Sequence, residues 1–283
     1  MTTLSETRDR VPTAIVRGMA ASDGAGVKLT RVIGTQALSE VDPFLMLDEF
    51  GSDDPNAYIA GFPDHPHRGF ETITYMLDGR MRHRDSRGNE GLLGPGDVQW
   101  MTTARGLVHS EMPEQQEGLM RGFQLWLNLP AKEKMLDPRY QDIPAARIPE
   151  TTLDGATLKV LAGTVGGVTG PIASPSTKPV IVDVAVPEHG KVVLPLPADR
   201  AGFAYVFEGL ALLGGKSVGK KYVAVLGTGD QLTIESQTGP VRVLVVAGKP
   251  IGEPVARYGP FVMNTRAELQ QAFTDYQNGL FDR

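Results

Sequence analysis

The chain has 283 residues, 41% of them hydrophobic, a formal net charge of −5 and no cysteine. That length suits two domains, and the charge gives no bulk affinity for nucleic acid or an anionic membrane. The missing thiols exclude disulfides, cysteine-ligated zinc and thiol catalysis, so any metal must be held by nitrogen and oxygen. No apolar run approaches the roughly 20 residues of a membrane span. The opening stretch MTTLSETRDRVPTAIV lacks the apolar core of a secretory signal. The expectation is a cytoplasmic protein with no membrane partner and no direct nucleic-acid binding.

The 33 glycines and 21 prolines form no low-complexity tract. Many turns between short apolar runs predict an all-β fold. In chain order the first strands are TAIVR (13–17), VKLTRVIG (27–34) and FLMLDEFG (44–51). ETITYMLDG (71–79) alternates, with Thr72, Thr74 and Met76 on one face and Ile73, Tyr75 and Leu77 on the other. DVQWMT (97–102) and MRGFQLWLNL (120–129) follow. PAKEKMLDPRYQDIPAARIPE (130–150) reads as a linker, which gives an N-terminal domain over 1–140 and a C-terminal one over 141–283. Strand signals resume with TLKVLAG, VIVDVAV, KVVLPL, FAYVFEG, YVAVLG, QLTIES and RVLVVAG.

Two short matches suggest a duplication. Gly69–Phe70 recurs as Gly202–Phe203, and LGPGD at 93–97 recurs as LGTGD at 226–230, both at an offset of 133 (202 − 69 and 226 − 93). The end of the chain differs. In NTRAELQQAFTDYQNGLF, Thr265 stands three residues before Glu268, a capping-box spacing. Leu269, Ala272, Phe273, Tyr276 and Leu280 recur at helical intervals, which predicts an amphipathic packing helix.

HPHRGFE (65–71) places His65 and His67 on one face of a strand, their Cα atoms about 6.6 Å apart. Pro66 cannot donate a ladder hydrogen bond, so this strand is expected to be an edge or end segment there. GLVHSEMP gives His109 and Glu111 the same spacing. Two such pairs on neighbouring strands bring three imidazoles and a carboxylate together, an open metal site rather than a closed structural zinc site. Glu71, four residues after His67, is a competing carboxylate; it is a ligand, an outer support for an imidazole N–H, or a structural strand residue.

FPDHPHRGFETITYMLDG, GPGDVQWMTTARGLVHSEMP, FQLWLNLPAKEKMLDPRYQDI and GPFVMNT together resemble the pirin family of the cupin superfamily. The resemblance implies two cupin β-barrels packed face to face, and one metal, usually iron, in the N-terminal barrel. It puts the ligands on His65, His67, His109 and Glu111 and leaves Glu71 out. Manganese, copper, nickel and zinc suit the same donors. At the repeat offset, positions 65 and 67 become Ala198 and Arg200, and the only histidine of that half, His189, sits in the turn-like PEHG. The C-terminal barrel is therefore expected to be metal-free.

Bacterial pirins resemble quercetin 2,3-dioxygenases, which open a flavonol ring with O₂ and release carbon monoxide. The resemblance implies a flavonol-like substrate and O₂ as co-substrate, with Glu111 as the base that takes the flavonol proton. The alternative it implies is a non-catalytic, redox-sensitive iron regulator acting through protein partners. Arg80, Arg82, Arg84 and Arg87 would then offer a surface for acidic groups, although a solvated hairpin tip is the plainer reading. A cupin with other small-molecule chemistry is a third reading. Met76, Trp100, Met101, Phe123 and Trp126 are candidate pocket walls, each also a candidate core residue, and His83 is expected outside the ligand set.

Overall fold

A computed structural model describes residues 7–281 of the chain, so the first six residues of the opening stretch lie outside it. Strands dominate, with one α-helix at Arg266–Gln277. No helix among the described residues is long and apolar enough to cross a membrane. The strands form two compact units, each containing a seven-stranded and a four-stranded antiparallel sheet in the cupin arrangement.

In the first unit, residues 19–147 with 251–283, the larger sheet runs Arg139–Ile143, Val98–Thr102, Phe70–Asp78, Met120–Asn128, Phe44–Ser52, Val27–Ile33, Met19–Asp23. The smaller runs Phe62–His67, Leu107–Pro113, Met81–Asp85, Glu90–Leu93. Phe62–His67 is an edge strand, as Pro66 requires. Phe70–Asp78 lies inside its sheet and is buried on both faces as far as Met76, so its alternation separates two buried sets rather than core from solvent.

The second unit, the N-terminal residues through Gly18 with 148–250, repeats this order strand for strand. The duplication read from the sequence is real, but only one of its two matches falls in corresponding strands. Phe70 and Phe203 both lie in the third strand of the larger sheet. LGPGD precedes Val98–Thr102, whereas LGTGD follows Tyr222–Leu226, the strand that takes the same place. Ala198 and Arg200 accordingly fall in a loop. The counterpart of Phe62–His67 is Lys191–Pro195, which turns Val192 and Leu194 into the core. These pack with Leu232, Ile234, Ala211 and Leu213 in an aliphatic interior. His189 is exposed in a turn at φ 58°, beside Glu188.

The boundary expected at 140/141 falls inside Arg139–Ile143, which pairs with Val98–Thr102. The supposed linker thus contains an edge strand of the first unit, and the division comes at 147/148. Both ends of the chain also cross it. Pro12–Arg17 pairs with Tyr222–Leu226 in the second unit. Arg10 fastens this segment by donating to the carbonyls of Arg200 and Pro197, each at 2.8 Å.

The C-terminal segment returns to the first unit. Thr265 and Glu268 form the expected capping box. The helix buries Ala272, with Leu269 and Phe273 half-buried against Phe261 and Phe281, while Tyr276 and Leu280 stay largely exposed. The segment ahead of it docks on the loop after His67: the Val262 N–H donates to Arg68 O at 3.0 Å, and the Arg68 side chain meets Asp275 at 2.6 Å. Lys134, fully buried, donates to Gly69 O, Asn128 Oδ1 and Val262 O at 2.7, 2.7 and 3.1 Å. Burial pulls its pKa down to about 8, which still leaves it cationic at neutral pH.

Gly69 sits at φ 90°, and a Cβ there would lie 1.9 Å from the Val262 carbonyl oxygen. Gly69→Ala is expected to cost about 2–4 kcal/mol from the clash and the left-handed backbone together. Lys134→Met leaves the buried carbonyl oxygens of Gly69 and Val262 without this donor, while Asn128 Oδ1 keeps the Leu129 N–H, and is expected to cost about 1–3 kcal/mol. Denaturant unfolding of both variants against wild type checks the two figures.

Candidate metal centre

The site is built on the edge of the smaller sheet of the first unit. Antiparallel pairing sets His109 directly opposite His65. The period of two then brings His67 to the same face. One potential ligand nitrogen from each histidine lies within 4.8 Å of the others. His65 and His67 approach Nε2 to Nε2 at 3.0 Å. His65 Nδ1 lies 2.8 Å from Pro63 O. Donation to that carbonyl fixes the tautomer that leaves a lone pair on Nε2.

The protonation states suit a cation. Burial, and then the neighbouring His65, push His67 well below the ordinary histidine range, against a smaller opposing effect of the Pro260 carbonyl. His109 is pushed the same way by burial and then by His67, His65 and His83. Both are neutral imidazoles at physiological pH, the form that ligates metals. Neither nitrogen of His109 has a hydrogen-bond partner among the described residues, although both are buried. Such groups cost about 1–3 kcal/mol each when left unpaired. A divalent ion shared by the three rings removes that cost. Two nitrogens at about 2.1 Å from an ion and at right angles to each other are about 3.0 Å apart, which matches the His65–His67 separation. The residues therefore fit a transition metal.

Glu111 lies two residues beyond His109 and is almost fully buried, but it does not join the three-nitrogen set. Its Oε1 is 3.0 Å from Thr74 Oγ1, which is also 2.6 Å from Gln124 Oε1. Gln124 Nε2 is 3.4 Å from Glu111 Oε2. Burial raises the Glu111 pKa, opposed by His65, Thr74 and Gln124. A hydroxyl has one proton to give, so both Thr74 contacts are satisfied when Glu111 is protonated and donates to Thr74.

Glu71 is not among the groups gathered with the histidines. It is fully buried, accepts from Thr102 Oγ1 at 2.6 Å and stands 3.9 Å from Arg139, a structural role. His83 is also outside the set. It is not on the hairpin surface, however, but buried opposite Glu111, stacked on Tyr140 and 3.7 Å from Asp142. Two of the four arginines of that hairpin are paired. Arg82 bonds Glu114 and Glu90, and Arg84 bonds Glu90 at 3.0 Å.

A cavity of about 600 Å³ opens onto His65, His67 and Glu111. Of the expected apolar walls only Trp126 lines it; Met76, Trp100, Met101 and Phe123 are core. Met46, Phe50, Phe62 and Met81 take their place. Trp126 stands with its ring 5.1 Å from that of His67 and 4.2 Å from Phe70. Gly259 and Pro260 of the C-terminal segment complete one side. Their part was not readable from HPHRGFE, because nothing local marks a contact almost 200 residues away.

Residues 26–127 match the family described as Pirin, and residues 181–282 match the Pirin C-terminal cupin domain. A pirin-like protein of Caulobacter vibrioides is 51% identical over 94% of this chain and 97% of its own length. Human pirin is 40% identical over 91% of this chain and 89% of its own. The crystal structure of a quercetin 2,3-dioxygenase from Acinetobacter baumannii superposes with a TM-score of 0.90 at 32% identity, covering 97% of this chain and 99% of that one. With these matches along most of its length, and a three-histidine cluster in its first barrel, the chain belongs to the pirin family of two-barrel cupins.

Proposed function

We propose that this protein is a metal-dependent dioxygenase that opens flavonols such as quercetin with O₂ and releases carbon monoxide. The observation that carries the reading is a cluster of three histidine nitrogens, two of whose residues, His65 and His67, line an aromatic-walled cavity with the buried Glu111 carboxyl alongside. His65, His67 and His109 hold the metal, and Glu111 takes the carboxylate place beside them. Iron is the metal we assign; manganese, copper, nickel and zinc suit the same donors. Bound there, the metal supplies Lewis acidity toward the flavonol 3-oxygen and an electron path between the electron-rich ring and O₂.

The chain's own part is binding, proton transfer and exclusion of water. Trp126, Phe50 and Phe62 offer apolar surface to a flat substrate. Glu111 accepts the 3-hydroxyl proton. Its raised pKa makes the protonated product of that transfer stable, and Thr74 and Gln124 provide a hydrogen-bonded place for the proton. The half-buried His65 and the buried His67 and His109 keep the reacting face away from bulk solvent.

Purified protein loaded with Fe(II) is expected to retain about one ion per chain, and His67→Ala or His109→Ala to lose it by elemental analysis after gel filtration. The loaded protein is expected to bleach quercetin absorbance with release of CO. Glu111→Gln is expected to lower kcat by about 10²–10⁴-fold while metal content is held equal. Metal-loaded protein that consumes no flavonol, or a Glu111→Gln variant as fast as wild type, overturns the assignment.

A further inference from the structure

The cavity wall contains two guanidinium groups in very different situations. Arg31 donates to both oxygens of Asp48, at 2.9 and 2.7 Å, and to Asp23 at 2.6 Å. Its charge is met by carboxylates that line the same cavity. Arg257, from the C-terminal segment, is held differently. Nη1 donates to Leu45 O at 2.9 Å, Nη2 is 3.9 Å from Met46 Sδ, and the guanidinium lies over the Trp126 ring at 4.8 Å. No carboxylate is within ion-pair distance of it among the described residues. Arg257 is exposed, and it lines the cavity.

A cation fixed by a backbone carbonyl and a ring face, with N–H groups still free, is a ready acceptor for an oxyanion. Trp126 relates it to the metal centre. The ring is 4.8 Å from the Arg257 guanidinium and 5.1 Å from the His67 ring. The distance from Arg257 to His67 therefore cannot exceed the two together, about 10 Å, which two fused or linked aromatic rings can span.

We propose that Arg257 selects the charge of the substrate, binding a second anionic oxygen, a carboxylate or phenolate, at the far end of an aromatic ligand whose near oxygen meets the histidines. This deepens the flavonol reading and rests on it for the aromatic character of the ligand. It makes Arg257 a specificity residue contributed by the segment that also closes one side of the cavity.

The test uses full-length, metal-loaded protein and two probes of one shape, 6-hydroxy-2-naphthoate and its methyl ester. Affinity is measured by calorimetry, alongside quenching of tryptophan fluorescence. Wild type is expected to prefer the acid by about tenfold, a difference of about 1.4 kcal/mol. Arg257→Met is expected to abolish the preference, and Arg257→Lys to keep part of it. With quercetin, Arg257→Met raises KM and leaves kcat near wild type, a split that general damage to the fold does not produce. An acid-to-ester ratio of one or less in wild type overturns the proposal, even if a variant proves unstable. An unchanged ratio in Arg257→Met overturns it as well. Absence of flavonol turnover with the acid preference intact removes the dioxygenase reading and leaves Arg257 as the anion site.

Discussion

Three imidazoles gathered within 4.8 Å of one another, His67 and His109 buried and His65 half-buried, set the conditions for the rest of the first unit. Such a group is unfavourable without a shared cation, so the fold must hold it against relaxation. Direct pairing of His109 with His65 does part of this, and the Pro63 carbonyl fixes one tautomer. The remainder comes from HPHRGFE itself. Arg68 ties to Asp275, Gly69 lets Val262 approach, Phe70 packs on Trp126 and His67, and Glu71 anchors on Thr102.

The two units show what such a site costs a barrel. They share strand order, yet the second fills the same region with Val192, Leu194, Leu232 and Ile234. Aliphatic packing of that kind stabilises by roughly 1.5–3 kcal/mol per large side chain. In the first unit that space contains histidines, a carboxyl and a cavity. One copy is therefore built for packing and the other for holding polar groups that packing alone would not favour.

The sequence displayed the histidines because a strand has a period of two and a metal needs neighbouring donors. His65 and His67, and His109 and Glu111, are visible as pairs, and their strands are adjacent in space. The all-β fold was legible for the same reason, through alternation and turn residues. The contributions of Lys134 and Arg257 were not. Their partners are the backbone carbonyls of Gly69, Val262 and Leu45, and a carbonyl leaves no mark in a sequence. The repeat offset misled in a related way. Loops of different length separate equivalent strands, so the second short match landed one strand late and carried Ala198 and Arg200 into a loop. For Met76, Trp100, Met101 and Phe123 the sequence left core and pocket both open, because both faces of a central strand can be buried and alternation does not say which face meets the cavity; all four are core.

The exchange of terminal segments bears on the order in which the protein can be assembled during synthesis. The second unit takes its outermost strand from residues 12–17, which meet partners at 222–226. That strand must wait, unpaired, while some two hundred further residues leave the ribosome. The first unit has the converse problem. Its sheets are encoded early, but the loop after His67 has no cover until Val262 has been made. Neither unit can be finished as a nascent domain in the usual N-to-C succession. Both mature together, late, and an ion that arrives before residues 256–263 meets a histidine cluster still open on the side that Gly259 and Pro260 later close.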